Sequence, residues 1–512
     1  MKKMQFDRTK NSIQGVIWGF IKNVVGLFLP FIVRTALVYS LGTKYLGLNG
    51  LFSTILNLLS VVELGIGGSI TYHLYKPIAE NDYASVKGLL NFFRKCYMII
   101  AGSILIMGIM ITPFLQYLVG EASEVPDDLN IYILYFIYLF NTVCVYGLFA
   151  YKSALLQAYQ KINICNMVGT ITTFILYTTQ ILVLIFWPRY YVYVILIPIT
   201  TIINNTVISL VCDRLFPEYK DISVGKIKEN QKKTIMSNVK NMIGHKASYS
   251  IVFSTDTLFI SSIFGLTTLG VYSNYSMIQN SINLFIAVFF NSILAGVGNT
   301  IVIKSKKEIY QDFKFVFFLN AWIAGWTSIC LLCLMQNFII CWIGETFCFD
   351  FPIVVSLVLS FYFMNMRRVV ATYKDGAGMW REDRIKPYIE MIVNLALDVI
   401  LVKYWGIIGF SAATIISQLF VATPWESNVV FKKLFLLSPL KFWFDYIKLS
   451  AINVVAFLST YVLTILIHGN TVLTLFLRAA ICLVVPNVII IMFYFKTDYW
   501  ERVKNIIKNL RR

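Results

Sequence analysis

Apolar residues along this chain gather into runs of about 20 to 30, separated by short polar or basic connections. At about 1.5 Å of rise per helical residue, each run covers the roughly 30 Å hydrocarbon core of a bilayer. Irregular backbone cannot face lipid, so the runs are predicted to be helices. In order they give about fourteen spans, near residues 12–41, 46–72, 97–119, 131–156, 164–187, 191–215, 236–264, 268–300, 314–342, 351–371, 386–404, 406–429, 447–468 and 472–495. The stretch from Leu41 to Pro77 organises the rest. It opens with a tight outer turn, Gly42 to Gly47, carries an acid in its apolar arm, Glu63, and continues into a small-residue run, Gly65, Gly67, Gly68 and Ser69. The same turn returns at Phe264 to Val271, where Gly42 maps on Gly265 and Gly47 on Gly270. An even number of spans separates the two copies, so both hairpins point the same way. The halves are predicted to be parallel repeats about an axis along the membrane normal.

The predicted architecture is all-α and integral to the membrane, with lobes of about six spans each. The N-terminal lobe is 1–216, a cytoplasmic linker occupies 217–235, the C-terminal lobe is 236–430, and 431–512 holds two extra spans and a basic tail. In that tail Val503, Ile506, Ile507 and Leu510 share a helical face opposed by Lys504, Lys508, Arg511 and Arg512, the pattern of a helix lying on the inner membrane surface.

Composition agrees: 58% of the 512 residues are hydrophobic and 14% charged, with a mean hydropathy of +0.71. The net charge of +18 would suit nucleic acid, but its placement excludes that partner. With the N-terminus in the cytoplasm, nearly all Lys and Arg fall on the cytoplasmic side, which is the positive-inside pattern and predicts both termini cytoplasmic. The basic excess then serves topology and anionic lipid headgroups. The first apolar run follows a basic N-terminus but is too long for a signal peptide and is predicted to remain as a span. Nine cysteines, an odd number with several inside apolar runs, imply no disulfide framework. Cys330 and Cys333 have redox-like spacing but lie within a span, where packing is the expected role. The outer connections are too short for a catalytic domain, which argues against a polysaccharide polymerase or ligase. No Gly-rich nucleotide loop, zinc-ligand cluster or nucleophile triad occurs, so neither an enzyme nor a cofactor is expected.

Four stretches carry a more specific resemblance: LGTKYLGLNGLFSTILNLLSVVELGIGGSI with Tyr72 to Pro77 and Glu80-Asn81-Asp82 after it, Asn238 to Gly298, Tyr373 to Arg384, and Lys386 to Ser417. Together they span both halves in order and resemble Wzx-type lipid-linked oligosaccharide flippases, the O-antigen and capsular polysaccharide transporters of the multidrug/oligosaccharidyl-lipid/polysaccharide exporter superfamily. The resemblance implies a two-lobed, fourteen-helix fold in the bacterial plasma membrane. It implies alternating access that moves an undecaprenyl-diphosphate-linked repeat unit from the inner to the outer leaflet. A monomer working beside a polysaccharide polymerase or glycosyltransferases is expected, with energy from an H+ or Na+ gradient, the membrane potential or removal of product on the far side. An exporter of organic cations from the same superfamily is the alternative; it would favour acids over bases in the interior.

Charges inside spans are costly unless paired or wetted, so each requires a role. Lys22 lies about 20 residues below Gly42, and His245 and Lys246 about 20 below Gly265, a common depth of roughly 30 Å. The three bases are predicted to floor a cavity and receive the diphosphate, since ammonium groups pair well with phosphate. Two other readings stay open: Lys22 ion-paired with Glu63, and Lys246 snorkelling to headgroups. Nearer the outside, Arg34 lies about 8 residues below Gly42 and Asp256 about 9 below Gly265. Their opposite charges at matching levels suggest an outer gate, unless each has its own partner. Glu63, Asp398 and Glu390 are candidate carriers of a coupling proton or cation, Glu390 being near enough to the inner surface to be solvated instead.

Overall fold

The computed structural model describes residues 8–63, 66–120, 125–222, 227 and 229–510, and no strand occurs among them. The helices run in order α1 (Arg8–Ser40), α2 (Thr43–Leu59), α3 (Ile66–Ala79), α4 (Tyr83–Ile111), α5 (Leu115–Val119), α6 (Ile131–Gly147), α7 (Ala150–Ala158), α8 (Ile162–Phe186) and α9 (Tyr190–Leu215). They continue with α10 (Glu229–Ile303), α11 (Lys306–Ile343), α12 (Phe351–Gly376), α13 (Lys386–Trp405), α14 (Ile407–Ser417), α15 (Thr423–Val429), α16 (Leu440–Ile465), α17 (Val472–Tyr494) and α18 (Asp498–Leu510). Polar residues at the ends of apolar runs start several of them, because the first N–H groups of a helix need acceptors. The Asp82 carboxylate accepts from Ser85 N–H at 3.0 Å to open α4, and the Asn130 side chain accepts from Tyr132 and Ile133 N–H to open α6. Ser305 and Glu308 form a reciprocal capping box on α11. Pro30, Pro198 and Pro486 sit inside α1, α9 and α17 without ending them.

Among the described residues ten helices are long and apolar enough to cross a membrane, and α6 with α7, bent by 41° at their junction, adds an eleventh. The chain is a multi-pass membrane protein. Three features, a glycine break, a divided span and a run of charges, separate this count from the fourteen expected. The helix α10 counts once although Gly265 breaks it. The second expected span is divided between α2 and α3 by a short 3-10 turn at Ser60–Glu63. Finally, α13 carries Lys386, Glu390, Asp398 and Lys403, more charge than an ordinary membrane-crossing helix holds.

The described residues form two compact units, Met1–Ser273 and Asn274–Arg512. The connection at 217–235 lies within the first. In that unit α1 packs chiefly on α8. A Cβ at Gly15 would touch Ile162 and one at Gly19 would touch Asn166, each at 3.4 Å, while Lys22 lies over Gly169. Both residue numbers rise together, so the two helices run parallel, as the first and fifth spans of an alternating series must. The missing side chains at Gly15, Gly19 and Gly169 allow the close approach.

In the second unit α11 is central, packed on α12, α16 and α17. Phe313, Phe317, Phe431, Phe435 and Phe442 interlock there with ring centroids 5.1 to 5.8 Å apart. The tail helix α18 forms as expected but also docks on protein. Tyr499 stacks on Phe318 at 5.3 Å, Val503 packs against the same cluster, and Arg502 reaches Asp312 at 3.3 Å. The side chains of Ile506, Ile507 and Leu510 lie outside the described residues.

Candidate functional site

The two copies of the outer turn have nearly the same backbone. Gly42 adopts φ 101°, ψ 179° and Gly265 φ 81°, ψ 172°, a region closed to residues with a side chain. The copies also meet inside the first unit. A Cβ on Gly47 would collide with the Leu266 carbonyl, and a Cβ on Gly270 would lie 2.5 Å from the Thr43 carbonyl oxygen. Glycine at the second shared place of the two turns therefore serves mutual contact, and the first glycine serves the turn itself. Beneath the contact Arg34 of α1 donates to Ser273 Oγ, and Ser273 donates to the Gly270 carbonyl at 2.7 Å. Arg34 is thus tied to the returning hairpin through a hydroxyl. Asp256, its expected counterpart, is half-buried on α10.

Deeper on α1, Lys22 is exposed, and its stem runs along α8 at Gly169. It has no ion pair or hydrogen bond among the described residues, so the alternative of a Lys22–Glu63 pair is not formed. Glu63 instead sits half-buried at the end of the 3-10 turn, close enough to Tyr97 and Tyr146 to act on both electrostatically. The side chains of His245 and Lys246 lie outside the described residues.

In the second unit the acids of α13 occupy different settings. Asp398 is fully buried, and neither carboxylate oxygen has a hydrogen-bond partner. One helical turn earlier Asn394, also fully buried, gives its amide to Thr414 Oγ1 of α14 at 3.5 Å and leaves its carbonyl oxygen unused. Three unused oxygens close in sequence on one helix, in a buried site, suit a proton or a small hard cation. Among the described residues no three His, Cys, Asp or Glu side chains converge as a metal set.

Glu390 is neither free nor solvated. It accepts from Gln418 at 2.9 Å and Lys386 at 3.1 Å, with Arg367 at 3.5 Å. This makes it one end of a buried charge network centred on Glu426, to which Lys386 comes within 2.9 Å, Lys374 within 3.4 Å and Arg367 within 3.7 Å. Lys374 also pairs closely with Asp383 from the connection after α12. The first unit has a smaller counterpart near the ends of its fourth and sixth spans, where Lys152 of α7 pairs with Asp213 of α9 at 2.7 Å and donates to Ser209 at 2.8 Å. In each half a lysine near the end of the fourth span meets an acid near the end of the sixth. The sequence reading missed both clusters. The available signal was a lone acid, Glu426, inside an apolar run, together with the Lys374 to Asp383 spacing around a glycine-containing turn.

A family model described as "Polysaccharide biosynthesis protein" matches residues 12–294. No curated protein matches the sequence. Among solved structures, the lipid II flippase MurJ in an inward closed conformation superposes with a TM-score of 0.64 at 14% identity, covering 94% of this chain and 99% of that one. An inward-facing multidrug resistance MATE family transporter of the MOP superfamily gives 0.62 at 13% identity, over 86% of this chain and 98% of that one. A MOP superfamily transporter from Pyrococcus furiosus, described as having a binding pocket of reverse polarity, gives 0.53 at 13% identity, over 83% and 96%. At such low identity these likenesses establish the fold.

Proposed function

This chain belongs to the polysaccharide biosynthesis protein family, and from that premise we propose that it is a flippase. Its substrate is an undecaprenyl-diphosphate-linked oligosaccharide repeat unit, carried from the inner to the outer leaflet of the bacterial plasma membrane by alternating access. Both termini are cytoplasmic, and the protein works as a monomer beside the polymerase or glycosyltransferases of the same glycan.

The observation that supports this reading furthest is Lys22. An ammonium within a membrane span is costly unless wetted or paired, and this one is exposed and has no protein partner among the described residues. An anionic head group fills that role. His245 and Lys246, at the same depth on α10, complete the basic set in this proposal. Lys22→Ala is expected to slow flipping of a lipid-linked oligosaccharide in proteoliposomes by about tenfold or more, the worth of one charged hydrogen bond, at unchanged abundance. Flipping at the normal rate removes Lys22 from the binding site.

Arg34 and Asp256 form the outer gate, with the paired outer turns above them in the closed state. Coupling falls to Asp398 rather than Glu390, because a carboxylate already held by Lys386, Arg367 and Gln418 is less free to take up and release an ion. Glu63 remains the candidate of the first unit. Asp398→Asn is expected to leave a residual flipping rate that no longer responds to an imposed proton or sodium gradient. Retained gradient dependence in that variant excludes Asp398.

The buried acid also keeps a second reading in view, export of an organic cation. A cation exporter would extrude a fluorescent cationic dye from vesicles and ignore lipid-linked sugar, whereas the flippase does the reverse.

A further inference from the structure

The charge network has a neighbour on the lipid-facing side of the second unit. A groove of about 780 Å³ opens between the start of α13, the segment around α15 and the start of α16. Its walls are apolar and aromatic, with Ile389, Phe420, Trp425, Leu440 and Trp443, and its polar members are Asn428 and Lys432. Phe420 and Leu440 are about three-quarters exposed, at 74% and 76%. Two π-helical turns, Gln418–Ala422 and Val430–Phe435, flank α15, and such turns are frequent at functional sites because they widen the helix locally.

We propose that this groove is a binding site for an anionic phospholipid of the inner leaflet, with one acyl chain along Phe420, Leu440 and Trp443 and the phosphate on Lys432. Four observations favour that occupant. Lys432, Lys433, Lys441 and Lys448 crowd the sequence around the groove, the pattern of a cytoplasmic membrane surface. Two indoles, Trp425 and Trp443, line it, and indoles are enriched at membrane interfaces. Lys433 is already engaged with Glu382 at 3.2 Å, but Lys432 has no ion pair or hydrogen bond among the described residues. Finally, one available ammonium matches the single charge of a phosphodiester, whereas a diphosphate head group calls for more.

The site also touches the network. Trp425 donates its indole N–H to the Glu382 carbonyl at 3.4 Å, and its neighbour in sequence is Glu426. A lipid seated against Trp425 therefore bears on the turn that presents the central carboxylate. The inference does not depend on the transported substrate, and its readout is lipid binding.

The full chain is placed in nanodiscs doped with brominated phosphatidylglycerol or, separately, brominated phosphatidylcholine, and tryptophan quenching is measured against lipid fraction. A Trp443→Phe variant isolates the signal from the groove. Half-quenching at about fivefold lower phosphatidylglycerol than phosphatidylcholine is expected, the worth of one basic side chain near a membrane surface. Lys432→Gln should abolish the difference, while Lys441→Gln, outside the groove lining, should keep it. Equal quenching by both lipids in the unaltered protein overturns the proposal, as does a preference that survives Lys432→Gln. Displacement of the phosphatidylglycerol by undecaprenyl phosphate at equal concentration also overturns it, since the groove would then hold the carrier lipid.

Discussion

Replacing Glu426 with glutamine is expected to destabilise the second unit by about 3–5 kcal/mol, the usual cost of removing one member of a buried ion pair. The side chain is almost fully buried, and three cations approach it: Lys386 at 2.9 Å, Lys374 at 3.4 Å and Arg367 at 3.7 Å. Glutamine keeps the volume and loses the charge. Lys386 and Arg367 would still have Glu390, and Lys374 would still have Asp383, but each cation would lose the carboxylate they share. The loss should appear as a lower midpoint of thermal unfolding in detergent, together with less monodisperse protein on purification. Lys374→Met combined with Asp383→Leu removes a whole pair rather than half of one and should cost less than either single change, because the one carboxylate it deprives of a cation, Asp375 at 3.4 Å from Lys374, is partly exposed to water. If Glu426→Gln melts like the unaltered protein, the network does not hold α12, α13 and α15 together.

The second large effect is expected at Gly47. A β-carbon there would overlap the Leu266 carbonyl, and backbone cannot yield as a flexible side chain can. Gly47→Ala should therefore push the paired outer turns apart and disfavour the arrangement in which they touch. In a cysteine-free background, Gly50→Cys with Ser273→Cys, whose β-carbons would stand 3.9 Å apart, should cross-link readily when Gly47 is present and poorly with alanine at 47. If the chain is the proposed flippase, the same variant should also lose most transport, because a carrier that cannot close its outer gate leaks or stalls. Equal cross-linking in both backgrounds would mean that the turns absorb the extra carbon and that their close approach is incidental.

How much of this was legible in the sequence depended on the range of the interaction. The outer turn and its copy were readable because glycine at Gly42, Gly47, Gly265 and Gly270 answers a local backbone need and a contact that both copies impose. Lys22 stood out because a charge in an apolar run is visible without a neighbour. Asp398 was readable for the same reason, and Asn394, whose carbonyl oxygen is likewise unused, lies one turn away. The charge network was not readable. Lys386 stands one turn before Glu390 on α13, but only folding brings Arg367 of α12 and the stretch with Gln418 and Glu426 around it. The division of the second span also escaped notice, since the apolar pattern runs unbroken through Ser60 to Glu63 while the backbone tightens there. The docking of α18 was half legible: its two-faced character was plain, but Phe318 and Asp312, which receive Tyr499 and Arg502, lie nearly 190 positions earlier.

The parallel seam of α1 and α8 bears on how the chain is made. Two parallel helices cannot be sequence neighbours joined by a short turn, so the ribosome must deliver four further segments before the first one meets its mate. During that interval the face with Gly15, Gly19 and Lys22 waits in the bilayer unmatched. Nascent chains stalled before Ile162 should accordingly be the ones that quality-control proteases remove, and release from that vulnerability should come when Phe186 clears the insertion machinery.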